Sequence, residues 1–274
     1  MSSLTKTLSN GVQIPWIAYG TGTALYNQDA EAAVTLAIQS NFNHIDCAQI
    51  YRNEVRPLFH FEILSNDCSP CQQDTTGKAI VKVPRDSLFV TTKLATLRPG
   101  ETVRESLQES LNKLGVQYVD LWLVHSPKQH EGNLKEVWKG CEDIYKEGLA
   151  KSVGVSNFTV KHLEEIMEVA TVVPQANQVY EICFIQVLLL DFEQIELHPY
   201  NYKAAKPLLD FHKEHGIVTE SYGGLAPLTT KPGGPVDLVI KFIREAVEKR
   251  RGAPVTEAQV IMKWLQAKDV VIVT

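Results

Sequence analysis

Four polar side chains of different chemistry end or closely follow consecutive apolar segments in the first half of this chain. They are Asp46, Tyr51, Lys93 and His125. A buried strand gains no stability by ending in a charge, so these residue types at these places indicate chemistry. A lysine ammonium beside a tyrosine favours the phenolate and lowers the pKa of the phenol. We therefore predict a proton-delivery group in which Tyr51 is a general acid usable near neutral pH.

The elements that must position these side chains alternate regularly between strand and helix. The pattern predicts strands at 16–21, 44–48, 88–93, 119–125, 151–155, 174–178, 217–222 and 270–273. Helices are predicted at 29–40, 101–114, 133–147, 159–170, 203–215, 236–250 and 256–267. Such alternation implies parallel strands joined by helical crossovers. Eight strands favour an α/β fold of the (β/α)8 TIM-barrel class, in which chemistry takes place at the C-terminal strand ends.

A small hairpin is predicted before the first strand, over residues 7–14. Its centre contains Asn10-Gly11, a pair that favours a tight primed turn. The alternative fold is an open doubly wound sheet that binds a dinucleotide. The glycine pattern of that fold is incomplete here, because Gly20-Thr21-Gly22-Thr23-Ala24-Leu25 lacks the third glycine. The barrel is therefore favoured, as one domain over residues 1–274.

Composition places the chain among ordinary globular proteins, with 44% hydrophobic and 22% charged residues. The formal net charge of −5 gives no electrostatic reason to expect a nucleic acid or an anionic membrane as partner. The N-terminus lacks an apolar signal core, and the apolar stretch 182–190 is too short to span a bilayer.

Five cysteines suit a reducing compartment, so a cytoplasmic location is expected. Cys68 and Cys71 form a lone C-x-x-C without a second ligand pair, so no metal site is expected.

The histidines divide into one candidate for chemistry and several for structure. His125 could be a core histidine whose hydrogen bonds are all made within the protein. Its occurrence together with an acid, a phenol and an ammonium favours a catalytic role instead. We expect His198 to be structural. We place His162, His212 and His215 on the solvent-facing surfaces of predicted helices.

The segment from Ile45 to Glu54 resembles the Asp-x-Ala-x-x-Tyr-x-Asn-Glu signature of the aldo-keto reductase family. Supporting matches follow in the order that the family has: Thr92-Lys93, Leu123–His125, Gly154–Phe158, Asn177-Gln178, Glu196–Tyr200 and Ser221-Tyr222. The resemblance covers nearly the whole chain. It implies a (β/α)8 barrel that transfers hydride from NADPH, with NADH as the alternative cofactor, to a small aldehyde or ketone.

The resemblance also implies residue roles. Tyr51 would be the general acid, tuned by Lys93 and Asp46, and His125 would orient the carbonyl, so that Tyr51 and His125 contact the substrate. The implied cofactor-binding residues are Ser156, Asn157 and Gln178 at the nicotinamide carboxamide, Tyr222 stacked on the ring, and Gly22 and Thr23. The alternative function is a catalytically inactive barrel that binds cofactor or a partner, or a non-functional truncated product.

Two stretches interrupt the family pattern, Val55–Gln73 and Val179–Gln194. Removing each stretch restores the family spacing. Each begins with Val, whose codons start with GT, and ends with Gln, one of whose codons is CAG. An intron likewise starts with GT and ends with AG. We hypothesise that both are translated, unspliced introns. The alternative is loop insertion, which barrels tolerate. If the second stretch is an insertion, either Gln178 or Gln194 could occupy the nicotinamide position.

The C-terminus is a further departure from the family pattern. The predicted eighth strand ends at Thr274, whereas the family continues with a loop that grips the adenosine phosphate, a closing helix and a substrate loop. A truncated barrel is therefore expected. The residues that select the substrate and choose between NADPH and NADH belong to such loops, and no sequence feature sets an oligomeric state.

Overall fold

The computed structural model of the protein describes residues 4–22, 24–26, 28–51, 72–179 and 197–274. Thr23, Gln194 and the Cys68/Cys71 pair lie outside these residues. Most of the two interrupting stretches lies outside them as well. The exceptions are Gln72 and Gln73, which belong to a helix, and Val179, which ends a strand.

The strands form one hairpin and one closed barrel, which confirms the predicted (β/α)8 class. The hairpin pairs β1 (Thr5–Thr7) with β2 (Gln13–Pro15) in antiparallel fashion. The barrel strands are β3 (Ile17–Gly20), β4 (His44–Asp46), β5 (Phe89–Leu94), β6 (Leu121–Val124), β7 (Val153–Ser156), β8 (Ala176–Val179), β9 (Val218–Tyr222) and β10 (Val271–Val273). Each is parallel to its neighbours, and β10 pairs with both β9 and β3, which closes the barrel.

Eight α-helices of the described chain accompany the strands. They are α1 (Glu31–Gln39), α2 (Gln72–Ile80), α3 (Val103–Leu114), α4 (Leu134–Lys146), α5 (Val160–Met167), α6 (Tyr202–His215), α7 (Asp237–Arg251) and α8 (Glu257–Ala267). The helix α2 was not among the helices that the pattern predicted. Three helices begin at a threonine capping box, at Thr102, Thr159 and Thr256, which satisfies backbone N–H groups of the first turn.

The hairpin closes one end of the barrel. Its buried Leu8 and Ile14 pack against the residues with which the barrel strands begin: Phe89, Leu121, Ala176, Val218 and Val271. These are the N-terminal strand ends, so the accessible mouth is the opposite, C-terminal end. The prediction of a two-residue primed turn was wrong. The loop has three residues, with only Gly11 in the left-handed region at φ 88°, and Leu8 N donates to Val12 O.

The placement of His212 on a helix surface was also wrong. Its side chain is only 1% exposed and lies between α6 and the sheet. Asn177 Nδ2 lies 3.0 Å from His212 Nε2, and His212 Nδ1 lies 2.8 Å from Thr219 Oγ1. One partner lies on the strand that directly follows the helix and the other on the strand that precedes it, and helical periodicity alone reveals neither contact. Within the part of the chain that the structure describes, no helix has the length and apolar character needed to cross a membrane.

Candidate active site

An ion pair without solvent exposure lies inside the barrel at the C-terminal ends of β4 and β5. Lys93 Nζ donates to Asp46 Oδ1 at 2.5 Å and to Cys47 O at 3.2 Å. Both charged side chains are 0% exposed. Burial by itself lowers the pKa of Lys93, but the charge and hydrogen bond of Asp46, together with Tyr51, outweigh it and raise that pKa above its usual value. The ammonium therefore stays charged throughout the range in which proteins work.

Tyr51 stands directly beside this ion pair. Its phenol oxygen lies 3.3 Å from Lys93 Nζ, and its side chain is buried. Burial raises the pKa of Tyr51, the positive charge of Lys93 lowers it, and the negative charge of Asp46 raises it again, so that the net direction is upward. The positive charge of Lys93 lowers the pKa of Tyr51 as expected, but it does not outweigh burial. At neutral pH the phenol is protonated and can give up its proton.

His125 lies opposite Tyr51, with ring centroids 5.6 Å apart in an edge-to-face arrangement. Burial, followed by the charge of Lys93, lowers the pKa of His125 to about 3. The imidazole is therefore neutral at physiological pH. Its Nδ1 has no hydrogen-bond partner among the residues that the structure describes. A neutral imidazole with an unused polar atom beside a protonated phenol can receive a polar group of a small molecule.

The three residues implied at the nicotinamide carboxamide lie together on neighbouring strands. Ser156 Oγ donates to Gln178 O at 2.9 Å, and Asn157 Nδ2 donates to Ser156 Oγ at 3.0 Å. Asn157 Nδ2 also donates to His125 O at 3.0 Å, and its backbone lies in the left-handed region at φ 62°. The cluster is therefore linked directly to the backbone of His125.

Gly22 lets the backbone approach two tyrosines more closely than a larger residue could. A Cβ at this position would lie 2.8 Å from the Tyr51 ring and 3.1 Å from the Tyr222 phenol oxygen. Tyr222 ends β9 and packs against Ala18 and Val273. Gly22 thus brings the two tyrosines to the same point at the mouth of the barrel. Since Thr23 lies outside the described residues, its predicted cofactor contact stays a prediction.

Sequence reasoning missed one buried carboxyl in this site, that of Glu220. It occupies the centre of β9 and is 0% exposed. Gln178 Nε2 donates to Glu220 Oε2 at 2.7 Å and to Asp46 Oδ2 at 2.8 Å. The available signal was an acidic residue within the strand-like run 217–222, but only the pairing of β8 with β9 places it beside Gln178.

Comparison with known proteins assigns the chain to a family. Residues 16–274 match the profile of the aldo/keto reductase family. An NAD/NADP-dependent indole-3-acetaldehyde reductase of Schizosaccharomyces pombe is 36% identical over 96% of this chain and 82% of its own length. An NADPH-dependent alpha-keto amide reductase of Saccharomyces cerevisiae is 32% identical over 98% of this chain and 80% of its own length.

Solved structures agree with this assignment at the level of fold. The crystal structure of an aldo/keto reductase from Brucella melitensis has a TM-score of 0.69 at 28% identity, covering 98% of this chain and 86% of that one. A Bombyx mori aldo-keto reductase in complex with NADP has a TM-score of 0.74 at 24% identity, covering 100% of this chain and 83% of that one.

Proposed function

The chain belongs to the aldo/keto reductase family and is an NAD(P)H-dependent carbonyl reductase, and we propose that Tyr51 is its proton donor. The observation that carries this proposal is the contact of the Tyr51 phenol with the fully buried Lys93–Asp46 ion pair. A phenol that stays protonated until a negative charge develops beside it is suited to act as a general acid.

Lys93 makes proton release from Tyr51 less costly. When the proton leaves, the phenolate that remains lies 3.3 Å from a fixed positive charge in surroundings of low polarity. Asp46 keeps that charge in place, since an unpaired buried ammonium would lose its proton or unfold the site. The ion pair is therefore present before the reaction and needs no rearrangement during it.

His125 is proposed to orient the carbonyl of the substrate. Because its imidazole is neutral, it offers one N–H donor and one acceptor rather than a second positive charge. A hydrogen bond from this ring to the carbonyl oxygen would place that oxygen next to the Tyr51 phenol. His125 thus orients the carbonyl oxygen of the substrate, while Tyr51 supplies the proton.

The cofactor is proposed to lie against Ser156, Asn157, Gln178, Tyr222 and Gly22. Gly22 approaches Tyr51 and Tyr222 more closely than a residue with a Cβ could, so its backbone lies beside both rings at the mouth of the barrel. Both side-chain hydrogen bonds of Gln178 to described residues use its Nε2, so its Oε1 is the atom suited to accept from an amide. When bound there, the reduced nicotinamide supplies the hydride.

A small aldehyde or ketone is the proposed substrate. Relatives are named as reductases of indole-3-acetaldehyde, an alpha-keto amide and methylglyoxal, all small carbonyl compounds. The alternative of an inactive barrel is not favoured, since the four groups of the proton-delivery set lie together.

The intron hypothesis and the cytoplasmic location stay predictions. Sequencing the transcript tests the first, and microscopy of the tagged chain tests the second.

The test is turnover by the full chain as it stands. We expect NADPH to bind, measured by fluorescence, and to be oxidised in the presence of methylglyoxal or an aromatic aldehyde. A Lys93→Met variant should retain the barrel, measured by circular dichroism, and lose turnover. Binding of NADPH without oxidation by any member of a broad carbonyl panel would instead support the inactive cofactor-binding barrel.

A further inference from the structure

Glu220 is a buried carboxyl for which the family resemblance implies no role. It lies at the centre of β9, directly opposite Gln178 on β8 and Val271 on β10. Its side chain is 0% exposed, and its Oε1 has no hydrogen-bond partner among the described residues. A buried carboxyl with an unsatisfied oxygen costs stability, and its presence at the site calls for a physical account.

One amide group separates this carboxyl from the ion pair of the active site. Gln178 Nε2 donates to Asp46 Oδ2 at 2.8 Å and to Glu220 Oε2 at 2.7 Å. The side-chain amide of glutamine has one NH2 donor and one carbonyl acceptor. Because Asp46 Oδ2 and Glu220 Oε2 both accept from Nε2, they fix the orientation of the Gln178 amide. Glu220 therefore determines which way the Gln178 amide faces, and with it the position of the second oxygen of Asp46.

Burial and the charge of Asp46 oppose the ionisation of Glu220. Burial raises the pKa of Glu220 to about 7, with a further contribution in the same direction from the charge of Asp46. The hydrogen bond from Gln178 and the charge of Lys93 act in the opposite direction. Of its neighbours on adjacent strands, Gln178 and Val271 carry no charge. With Glu220 protonated, the Lys93–Asp46 pair is electrically balanced, whereas its ionisation leaves one net negative charge inside the barrel.

We propose that Glu220 is a positioning residue of this reductase: in its protonated form it holds Gln178 against Asp46, and its ionisation as the solution becomes alkaline weakens Tyr51 as an acid. The second effect follows from the direction in which Asp46 acts. The negative charge of Asp46 already raises the pKa of Tyr51. A second negative charge, separated from Asp46 only by the Gln178 amide, raises it further and makes proton release harder. This proposal rests on the proposed role of Tyr51.

The test compares Glu220→Gln with a matched control, Glu142→Gln. Glutamine keeps an acceptor for Gln178 but cannot ionise. Glu142 is equally buried, at 3% exposure, but it accepts hydrogen bonds from Thr171 and Val172, outside the barrel interior. The rate constant kcat for carbonyl reduction, at saturating NADPH, is measured from pH 5.5 to pH 9. The dissociation constant of NADPH is measured by fluorescence over the same range.

In the unmodified chain and in Glu142→Gln, we expect kcat to fall by about threefold or more as the pH rises through about 7. In Glu220→Gln that fall should be absent, while NADPH still binds. A Glu220→Ala variant, which removes the acceptor, should bind NADPH more weakly at every pH. Profiles of Glu220→Gln and the unmodified chain that coincide would overturn the proposal.

A measurement on the unmodified chain keeps the proposal testable if a Glu220 variant does not fold. Carbon NMR of protein labelled at the glutamate carboxyl carbon reports each titration separately. We expect one glutamate to titrate near pH 7. If every glutamate titrates below pH 5.5, Glu220 is ionised in neutral solution and the proposal is wrong. This readout does not depend on turnover, so its failure is distinguishable from a failure of the role of Tyr51.

Discussion

Lys93 and Asp46 form an ion pair that has no contact with solvent, with Nζ 2.5 Å from Oδ1. Two elementary charges removed from water cost free energy that their attraction only partly returns. A hydrophobic pair of similar volume would stabilise the barrel at least as well. The pair is therefore best understood through Tyr51, whose phenol lies 3.3 Å from the same ammonium.

Breaking this ion pair should affect stability and turnover together. An Asp46→Asn variant leaves the Lys93 ammonium buried without its counter-ion, which costs about 3–5 kcal/mol of folding free energy. Because Lys93 then titrates at a lower pH, Tyr51 loses its fixed positive neighbour and kcat should fall at least about a hundredfold. Urea unfolding and steady-state kinetics measure the two effects.

The matched control for Asp46→Asn is Asp120→Asn. Asp120 pairs with Arg85 at 2.5 Å, near the N-terminal end of the barrel, and also accepts from Val90 N. We expect a loss of stability in this variant, with kcat unchanged. Equal losses of kcat in the two variants would mean that the Lys93–Asp46 pair acts on activity through folding alone.

The close approach of the Gly22 backbone to Tyr51 should be required for turnover. A Gly22→Ala variant places a methyl group 2.8 Å from the Tyr51 ring, closer than carbon atoms approach, so the ring must move. We expect kcat to fall by about tenfold or more, because a small displacement of an acid from its substrate is costly. A crystal structure of the variant would show the displacement of Tyr51.

Gly100→Ala provides the control for this substitution. Gly100 has φ 79°, and a Cβ there meets nothing within 4 Å, so the change carries only a backbone cost of about 1 kcal/mol. Its kcat should equal that of the unmodified chain. An unchanged kcat in Gly22→Ala would contradict the packing that the structure shows between Gly22 and Tyr51.

Acid should destabilise the fold through buried histidines, namely His44 and His212 and likewise His125. Burial lowers the pKa of His44 and of His212 to about 3, below the value of about 6.5 that each has in the unfolded chain. Since the unfolded state binds protons first as the pH falls below 6.5, stability falls over the same range. At pH 5 each histidine costs on the order of 2 kcal/mol. Urea unfolding at several pH values measures this slope, and His212→Gln should reduce it.

Glu220 should act on stability in the opposite direction over an overlapping range. Its pKa in the folded chain, about 7, lies above the usual value of 4.5, so the folded state holds the proton longer. Its contribution is therefore fully present below pH 4.5 and is lost as the pH rises through about 7. Glu220→Gln should remove this loss, which the same unfolding experiment detects as a steeper rise of stability between pH 4.5 and 7, because the contribution of the histidines is then unopposed.

Local sequence patterns were sufficient to place the residues at the strand ends. Asp46, Lys93 and His125 end or follow apolar runs, and parallel strands bring such positions to one edge. Glu220 was missed because a single acidic residue within a strand is usually solvent-facing, and only the pairing of β8 with β9 shows it to face Gln178. Burial of the Tyr51 phenol could not be inferred from the sequence either. Burial is the effect that makes the net shift of its pKa upward, against the lowering by Lys93.

Nonlocal packing explains the remaining differences. His212 was placed on a helix surface, although it contacts Thr219 on the next strand and Asn177 on the preceding one, contacts that the helix pattern does not contain. The hairpin was predicted correctly, but its turn was not, because Asn10-Gly11 is compatible with two loop lengths. In each case the residue type was informative, and the missing information was the identity of its neighbour in space.

The central claim is that the Tyr51 phenol delivers the proton, and the Tyr51→Phe variant tests it most directly. The phenyl ring keeps the packing against Gly22 and His125 while the phenol oxygen beside Lys93 is lost. Tyr118→Phe is the control, since it removes a phenol that donates to Asp86 outside the site.

The measurement is the single-turnover rate of NADPH oxidation with a saturating aldehyde, together with the dissociation constant of NADPH for each variant. We expect Tyr51→Phe to bind NADPH within about threefold of the unmodified chain and to lose at least about a hundredfold in rate, as removal of a general acid does. Tyr118→Phe should lose neither. A rate in Tyr51→Phe equal to that of the unmodified chain would contradict the account, because the proton would then come from another group.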